Sequence, residues 1–415
     1  MKLICTGDWH LGNLFHGNDR LPEHRHFLSW LLTQITEQQP DALLIAGDVF
    51  DNGNPSAAAQ AAYYHFLVKA NKACPAMTTV ITAGNHDSAS RLEAPRSLLG
   101  SHNIEVRGQV HRSWDGSSWI VDYDDMIIPL TGSDGTRIAV LAVPYLRNDI
   151  LRGDSYSSGI KSFISDLLQK AHESYPEYKT VMMAHLYASG AEIAHKDASE
   201  RIVIGGQEQV DISKWPEHPD YFTCGHIHKR QAIGGLDNAR YPGSVLPMSF
   251  AEKDYTHGVD LVSIDDNGIE VEQLVYTPQH RLRIIEADSK DLTLKRIEKL
   301  IDQELTDRKD NGLDDEFEYL ALKLRLDRIK GDDINTIEEL IRKKNVVLCK
   351  IQRIIPELEL TSIEGGHEIT SIDDILDRDP LETIAEAFAI KHDRELSERQ
   401  HNMLREIIDQ IQQEQ

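Results

Sequence analysis

The sequence has few cysteines and no long apolar run. Its four cysteines, Cys5, Cys74, Cys224 and Cys349, lack the paired spacing of a metal site, so we interpret them as reduced, mostly buried thiols. No apolar segment approaches the roughly 20 residues needed to span a bilayer. The first residues, MKLICTGDWH, do not have the order of a signal peptide. These absences predict a cytoplasmic protein with no membrane partner.

Basic residues are also scarce. The chain has 44 lysines and arginines against 68 aspartates and glutamates, a formal net charge of −24. This balance argues against a nonspecific coat on nucleic acid. It does not exclude a DNA substrate, because divalent metals bound to carboxylates could neutralise part of the charge. The length of 415 residues predicts two or three domains with a sizeable buried core.

Three apolar runs each end in a short polar cluster, and two helix-like stretches separate them. The alternation of strand and helix is typical of a parallel sheet with crossover helices. In such sheets, ligands lie beyond the carboxyl ends of the strands, which is where the polar clusters fall. The runs are KLICTGDWH (2–10), DALLIAGDVFD (41–51) and TTVITAGNHD (78–87), and the helical stretches cover 23–39 and 56–72.

The rest of the chain predicts a second sheet and a smaller module. Residues 126–146 read as a hairpin around an Asp-Gly turn, and the later runs TVMMAHL and YFTCGHIH both end in histidine. We expect one α/β domain over 1–278, a small α/β module over 279–358, and a linker with a helical tail over 359–415. The apolar stripes of the tail helices indicate either docking on the same protein or binding in a partner groove.

Seven oxygen or imidazole donors lie at the predicted strand ends. Asp8 and His10, like His226 and His228, are two positions apart, and such side chains project to the same side of an extended backbone. Taken singly, each motif is more typical of a capped turn or a hydrogen-bonded histidine. Together they indicate a metal site that suits manganese, iron or zinc better than calcium. The seven donors are Asp8, His10, Asp48, Asn85, His185, His226 and His228.

These motifs resemble those of a known superfamily. GDWH, GDVFD, GNHD, AHL and GHIH, in this order, are similar to the motifs of calcineurin-like metallophosphoesterases. The flanking segments CTGDWHLG, AGDVFDNGNPS and YPGSVLPMSF, with the small module, resemble the double-strand-break repair nucleases within it. The resemblance covers essentially the full chain and is weakest from 280 to 356. It implies a two-sheet metallophosphoesterase sandwich flanked by helices, in which the small module is a capping domain.

The resemblance also implies a pair of metal ions and no organic cofactor. Two Mn(II) ions are expected, with Mg as a possible substitute. One ion would be held by Asp8, His10 and His228, the other by Asn85, His185 and His226, and Asp48 would bridge them.

The histidine of GNHD, His86, is expected to act on the substrate. The resemblance implies that it points toward the scissile phosphate and protonates the leaving 3′ oxygen, although a histidine here could also serve only as a supporting contact. Asp51 stands where nucleases of this family in archaea and eukaryotes have histidine and where protein phosphatases have aspartate. We therefore hypothesise that the Asp51 side chain pairs with His86 and orients its ring. Asp87 is expected to hold the loop from behind the ligands.

The family resemblance implies an ATP-dependent DNA nuclease. Expected activities are 3′–5′ exonuclease cleavage of duplex DNA and endonuclease cleavage of single strands and hairpins, in DNA repair and recombination near the nucleoid. Expected partners are DNA and a large coiled-coil ATPase bound by the tail, with a homodimer of this chain inside a heterotetramer. Self-association is expected near 56–70 and 88–99, where core leucines are an equally good interpretation.

Phosphate contacts are harder to place from sequence. Arg91, Lys229 and Arg230 lie in or after motif-bearing loops, as do several further arginines including Arg112, Arg147 and Arg152, although any one of them is more typical of a solvated charge. Two other functions stay open: a stand-alone phosphoesterase acting on nucleotides or phosphoproteins, and a scaffold with a silent site.

Overall fold

The structure is a computed structural model that describes residues 1–192, 209–289, 292–304, 317–325, 331–344 and 346–354, with residues 400 and 405. The chain divides into two compact units, 1–354 and 355–415. The expected helical tail at 359–415 falls, apart from residues 400 and 405, outside the described residues. Among the helices that are described, none combines the length and apolarity of a membrane span.

The first unit alternates strands and helices along most of its length. In the described part of the chain the strands are β1 (Lys2–Thr6), β2 (Leu14–Phe15), β3 (Asn18–Asp19), β4 (Ala42–Ala46), β5 (Thr78–Thr82), β6 (Ile104–Arg107), β7 (Arg112–Trp114), β8 (Trp119–Val121), β9 (Ile127–Thr131), β10 (Arg137–Ala142), β11 (Lys179–His185), β12 (Tyr221–Gly225), β13 (Gln231–Ile233), β14 (Leu236–Tyr241), β15 (His257–Asp265), β16 (Gly268–Tyr276), β17 (Leu282–Ala287), β18 (Glu318–Leu324) and β19 (Val346–Arg353). The helices are α1 (Leu21–Gln38), α2 (Ala57–Ala73), α3 (Ala89–Glu93), α4 (Arg96–Gly100), α5 (Tyr156–Ser174), α6 (Leu294–Glu304) and α7 (Gly331–Arg342).

Two six-stranded sheets pack face to face. The first has the order β16-β15-β1-β4-β5-β6 and the second the order β13-β14-β12-β11-β10-β9. β1, β4, β5 and β6 are parallel, as are β10, β11 and β12. Between the sheets lies an apolar layer to which Leu3 and Leu44 of the first sheet and Val140 and Met183 of the second contribute. These strands are buried on both faces, which explains their continuous apolar sequences.

Helices cover the outer face of each sheet. Phe27 and Leu31 of α1 pack in the core of the first sheet with Tyr63 of α2, and α5 places Phe163 and Leu167 in that of the second. Helices begin where the sequence offers caps: the Ser56 hydroxyl accepts a hydrogen bond from the Ala59 N–H, 3.2 Å away, at the start of α2. The predicted fold class, an α/β two-sheet sandwich flanked by helices, is confirmed.

The module after residue 280 is a parallel sheet, β17-β18-β19, with α6 and α7 on one face. Its other face meets the sandwich, because Tyr319 of β18 packs with Phe15 and Phe250 and its hydroxyl donates a 2.9 Å hydrogen bond to Glu23. Arg20 is fully buried at this junction and is paired with Glu23 at 2.9 Å. The small module therefore meets the sandwich through the Tyr319 hydroxyl, which bonds Glu23, and through the Tyr319 ring, which lies 5.8 Å from the Arg20 guanidinium.

Candidate metal centre

The carboxyl ends of β1, β4, β5, β11 and β12 meet at one edge of the sandwich. At this edge the backbone takes conformations that are uncommon outside glycine. Asp8, His10 and Asp48 have φ of 50°, 47° and 47°, and His226 has 99°. Left-handed, non-glycine residues cost free energy and concentrate at functional sites. Four of the seven predicted ligands are thus held in strained turns that aim them at one place.

Close approach at this edge requires glycine. A Cβ added to Gly47 would lie 2.4 Å from His185 Nδ1, and Gly47 itself has a φ of 78°. A Cβ added to Gly84 would lie 2.1 Å from Asp48 Oδ1. Both positions exclude any side chain, since no carbon can approach a ring nitrogen or a carboxylate oxygen so closely.

One group of donors centres on Asp48 and Asn85. The Asp48 carboxylate lies 3.3 Å from His185 Nε2 and 3.7 Å from His10 Nε2. Asn85 Oδ1 lies 2.9 Å from His185 Nε2 and 3.1 Å from His226 Nδ1. Asp48 therefore stands between a histidine of the first sheet and one of the second.

A second group centres on Asp8. Ligand atoms of Asp8, His10 and His228 lie within 4.8 Å of one another, and so do those of Asp8, Asp48 and His185. The Asp8 carboxylate also accepts a 2.9 Å hydrogen bond from the His226 N–H. All seven donors predicted from the sequence are brought together.

In the part of the chain that the structure describes, the carboxylates of this centre are buried without a lysine or arginine side chain to balance their charge. Asp8 and Asp48 are 0% and 2% exposed, and no lysine or arginine pairs with either among the described residues. Both ring nitrogens of buried His10, and Nε2 of His226, lack a hydrogen-bond partner. Buried polar atoms are seldom left unpaired, and each one calls for an explanation such as an absent ion. Carboxylate, imidazole and amide oxygen are the donors that a divalent transition metal takes, so the residues fit a metal centre.

The protonation behaviour of the centre reflects the same crowding. Burial lowers the pKa of His10 well below its usual value, and burial raises the pKa of Asp8. Burial alone would also lower the pKa of His185, but the Asp48 and Asp8 carboxylates raise it to about 9.

Glu252 supports the centre and was missed by the sequence analysis. Its carboxylate lies 3.0 Å from His228 Nδ1 and accepts a 2.8 Å hydrogen bond from the Met248 N–H. Burial lowers the pKa of His228, but Glu252 raises it to about 9. Histidine ligands commonly donate their second ring N–H to such a carboxylate, which fixes the ring orientation. The only sequence signal is an acid that closely follows the segment YPGSVLPMSF.

His86 lies at the centre, but its contact with Asp51 is not the expected one. His86 Nδ1 is 2.8 Å from the main-chain carbonyl oxygen of Asp51. The Asp51 carboxylate instead accepts a 2.9 Å hydrogen bond from Asn13 and lies 3.6 Å from His10 Nδ1. The hypothesis that the Asp51 side chain pairs with His86 is thus replaced by a contact that does not depend on that side chain. The His86 N–H also donates to Asp48 Oδ1 at 2.9 Å, so backbone and ring are both tied to the GDVFD loop.

Asp87 anchors the loop from the inside. Its buried carboxylate accepts hydrogen bonds from the N–H groups of Gly84, Phe50 and Val49 at 2.9, 2.9 and 3.1 Å. The GNHD and GDVFD loops are held together by this one side chain. Burial raises the pKa of Asp87 to about 6, helped by the nearby Asp48 charge.

Replacing Asp87 by asparagine is expected to lower the free energy of unfolding by about 1–3 kcal/mol, because an amide group would face a buried N–H donor that has lost its acceptor. Thermal unfolding of the metal-free protein measures the change. Asp265→Asn is the matched control, since its carboxylate caps N–H groups in an exposed turn where asparagine serves as well. Equal unfolding midpoints for the two variants would contradict the role of Asp87.

The three predicted DNA contacts differ in how free they are. Lys229 is ion-paired with Glu192, and Arg230 Nε donates to the buried Asp260 at 2.7 Å. Arg91 is exposed, and its one hydrogen bond to a described residue is to the neutral Asn54 side chain, at 2.5 Å. Arg230 is therefore engaged in the fold, and Arg91 keeps its charge available.

The family model described as calcineurin-like phosphoesterase matches residues 1–230, and the chain belongs to that family. It is a metal-dependent phosphodiester hydrolase. Within this class it belongs, as its sequence motifs predicted, with the D subunits of the SbcCD nucleases. The chain is 35% identical to the D subunit of the Rhodobacter capsulatus SbcCD nuclease over 64% of this chain and 66% of the relative. It is 32% identical to that of Escherichia coli K12 over 71% of this chain and 72% of the relative.

A solved structure of a dimetal phosphatase from Danio rerio is similar over 67% of this chain and 99% of that chain. The identity is 12% and the TM-score 0.37, which is too low to bear on function.

Proposed function

We propose that this protein is the nuclease subunit of an ATP-dependent DNA nuclease complex. The observation that supports this best is the convergence of seven metal-type donors with one further histidine, His86, at a single sheet edge. The curated relatives are named as one subunit of the nuclease SbcCD, which adds a partner protein to the proposal. The expected reaction is hydrolysis of phosphodiester bonds, as a 3′–5′ exonuclease on duplex DNA and an endonuclease on single strands and hairpins.

The centre would hold two divalent ions, with Mn(II) as the proposed metal and Mg as a substitute. Asp8, His10 and His228 would hold one ion, and Asn85, His185 and His226 the other. Asp48 would be shared, since it lies between His10 and His185. When bound, such a pair supplies Lewis acidity toward phosphoryl oxygens and a water-derived nucleophile at neutral pH.

His86 is the proposed general acid. Its Nδ1–H donates to the Asp51 carbonyl oxygen, which fixes the tautomer and leaves Nε2 as the nitrogen that can carry the transferable proton. The ring stands edge-on to His10, with ring centres 4.9 Å apart, and it is half-buried, so a substrate can reach it. From there Nε2 can pass a proton to the leaving oxygen of a phosphodiester.

We also propose three domains for this chain and two binding partners, a coiled-coil ATPase and a second copy of the chain. The nuclease domain would span 1–278, the capping domain 279–358, and the tail 359–415 would bind a large coiled-coil ATPase. Self-association of two nuclease subunits within a heterotetramer is supported by Val68 of α2 and Leu98 of α4, which are 51% and 70% exposed. The proposed location is the cytoplasm, on the nucleoid.

Replacing Glu252 by glutamine is expected to weaken Mn(II) binding about 10- to 100-fold, because His228 loses the negative charge that orients it and raises its basicity. Competition with a chromogenic chelator measures the affinity. Glu272→Gln, on the exposed face of β16, is the control and should bind metal as the wild type does. An unchanged affinity in Glu252→Gln would show that Glu252 does not support a ligand.

Digestion of linear duplex DNA with Mn(II) tests the proposal, with and without ATP and a coiled-coil ATPase partner. We expect shortening of the DNA from its ends that needs the metal and rises with the partner and ATP. Hydrolysis of nucleotides or phosphoproteins without cleavage of DNA would favour the stand-alone phosphoesterase instead. A protein that binds the metals but hydrolyses none of these substrates would favour the silent scaffold.

A further inference from the structure

A short hairpin exposes two tryptophans to solvent. The tryptophan hairpin, formed by β7 and β8, places Trp114, Trp119 and Ile120 on the surface with 55%, 49% and 48% of each residue exposed. In the described part of the chain Trp114 and Trp119 are the only exposed large aromatic side chains. The two indole rings contact edge to face, with centres 5.6 Å apart. Exposed aromatic side chains that pair with each other are typical of a binding surface.

The hairpin lies at the same edge of the sandwich as the metal centre. It follows β6, which runs parallel to β5. The last residue of β6, Arg107, pairs with Thr82, two residues before the GNHD loop begins. It precedes β9, whose first residue, Ile127, pairs with Leu141 near the carboxyl end of β10. The chain therefore leaves one sheet and enters the other at the catalytic edge, and the hairpin stands on the flank of that edge.

Cations accompany the two rings. The Arg112 guanidinium lies 5.1 Å from the centre of the Trp119 ring, and Arg152 donates a hydrogen bond to the Trp119 carbonyl oxygen. Arg147 is exposed and forms no ion pair with any described residue. The nearby acids are mostly engaged: Asp115 caps the hairpin turn through the N–H groups of Ser117 and Ser118 at 2.7 Å, and Asp149 lies 3.7 Å from Arg112.

The loop that carries Arg147 connects this surface to the centre. At one end, the Tyr145 ring contacts His185, with ring centres 6.3 Å apart. At the other, the Asp149 carbonyl oxygen accepts a 3.1 Å hydrogen bond from Arg112. The four residues that lead from Tyr145 to Asp149 span at most about 14 Å even when fully extended. A nucleic-acid strand only a few nucleotides long could therefore touch both the metal centre and the hairpin.

We propose that the tryptophan hairpin binds single-stranded DNA by stacking bases on Trp114 and Trp119, while Arg147 and Arg152 contact its phosphates. The inference rests on the proposed nuclease function and adds a site that holds an unpaired strand beside the centre. Aromatic rings interleaved with arginines suit a single strand, because every base offers a face for stacking and duplex bases are already stacked. A second copy of this chain is a poorer occupant. The exposed apolar area is roughly 300 Å², against about 800 Å² per partner in a stable interface.

Tryptophan fluorescence during titration with phosphorothioate-linked oligothymidine tests the proposal. The wild type is expected to show quenching, since two of its five tryptophans are the exposed pair. Trp114→Ala/Trp119→Ala is expected to bind the oligonucleotide about 5- to 100-fold more weakly by a labelled-strand assay, from the stacking energy of one or two bases. Its hydrolysis of a small phosphodiester should equal that of the wild type. Trp30→Phe, on α1, is the control for loss of an indole elsewhere.

A second variant tests the phosphate contacts. Arg147→Gln is expected to remove one phosphate contact. The slope of log affinity against log salt concentration should then become shallower by roughly 0.7, the value for one phosphate contact on a single strand. Equal single-strand affinity in the wild type and the double tryptophan variant would overturn the hairpin site and leave the nuclease assignment intact. Oligonucleotide binding that depends on the tryptophans, in a protein that cuts no DNA, would keep the hairpin site and overturn the nuclease assignment.

Discussion

Asp48→Asn is expected to lose metal-dependent phosphodiester hydrolysis, with a rate reduced by well over the 100-fold that loss of a supporting contact costs. Asp48 is the donor that both halves of the centre share, 3.3 Å from His185 and 3.7 Å from His10. Burial alone would raise the pKa of Asp48, but the neighbouring histidines, His185 foremost, hold it below its usual range, so the carboxylate is ionised. An amide keeps the shape but supplies no negative charge to share between two cations.

Thermal unfolding with and without Mn(II) separates loss of metal from loss of fold. Ligand at 100 times its dissociation constant stabilises a protein by about 2.7 kcal/mol, so the wild type should unfold at a higher temperature when metal is added. Asp48→Asn should lose most of this increase. Asp41→Asn is the matched control at the opposite end of the same strand, where the carboxylate caps the N–H groups of Lys2 and Ser133 at 2.7 Å. If Asp48→Asn keeps the full metal-induced increase, Asp48 is not a shared ligand.

Much of the sandwich and its catalytic edge could be predicted from the sequence. The interior strands are apolar throughout, because both faces of each sheet are covered, and each ends at a conspicuous polar cluster. The predicted helix over 23–39 is α1, and that over 56–72 is α2, each within two residues at its ends. Parallel strands bring their carboxyl ends together, so linear order was enough to place Asp8, Asp48 and Asn85 side by side.

Contacts that depend on tertiary geometry could not be predicted in the same way. No pattern distinguishes the Asp51 carbonyl oxygen from its carboxylate as the partner of His86, since both belong to one residue. Glu252 reaches His228 from a short 3₁₀ helix 24 residues further along the chain, with no periodic spacing. The tryptophan hairpin has strands of three residues, too short for an alternating pattern to stand out.

His86→Gln is expected to slow DNA cleavage about 10²- to 10⁴-fold, the range that a positioned general acid contributes. Glutamine can keep a hydrogen bond to the Asp51 carbonyl oxygen but cannot transfer a proton. Metal-induced thermal stabilisation should stay at the wild-type level, because His86 is not among the seven proposed ligands. This distinguishes His86 from Asp48, whose replacement should remove both stabilisation and rate.

The leaving group separates proton transfer from simple positioning. The leaving group of a nitrophenyl phosphodiester is a stable phenolate that needs little protonation. His86→Gln should therefore slow hydrolysis of this substrate far less than cleavage of DNA. His172→Gln, on the outer helix α5 where the ring lies 3.4 Å from Glu217, is the control and should cleave both substrates normally. Equal losses on the two substrates would mean that His86 positions the phosphate or supports its neighbours. A loss confined to DNA would identify the proton as the contribution of the ring, held in place by a backbone oxygen of the adjoining loop.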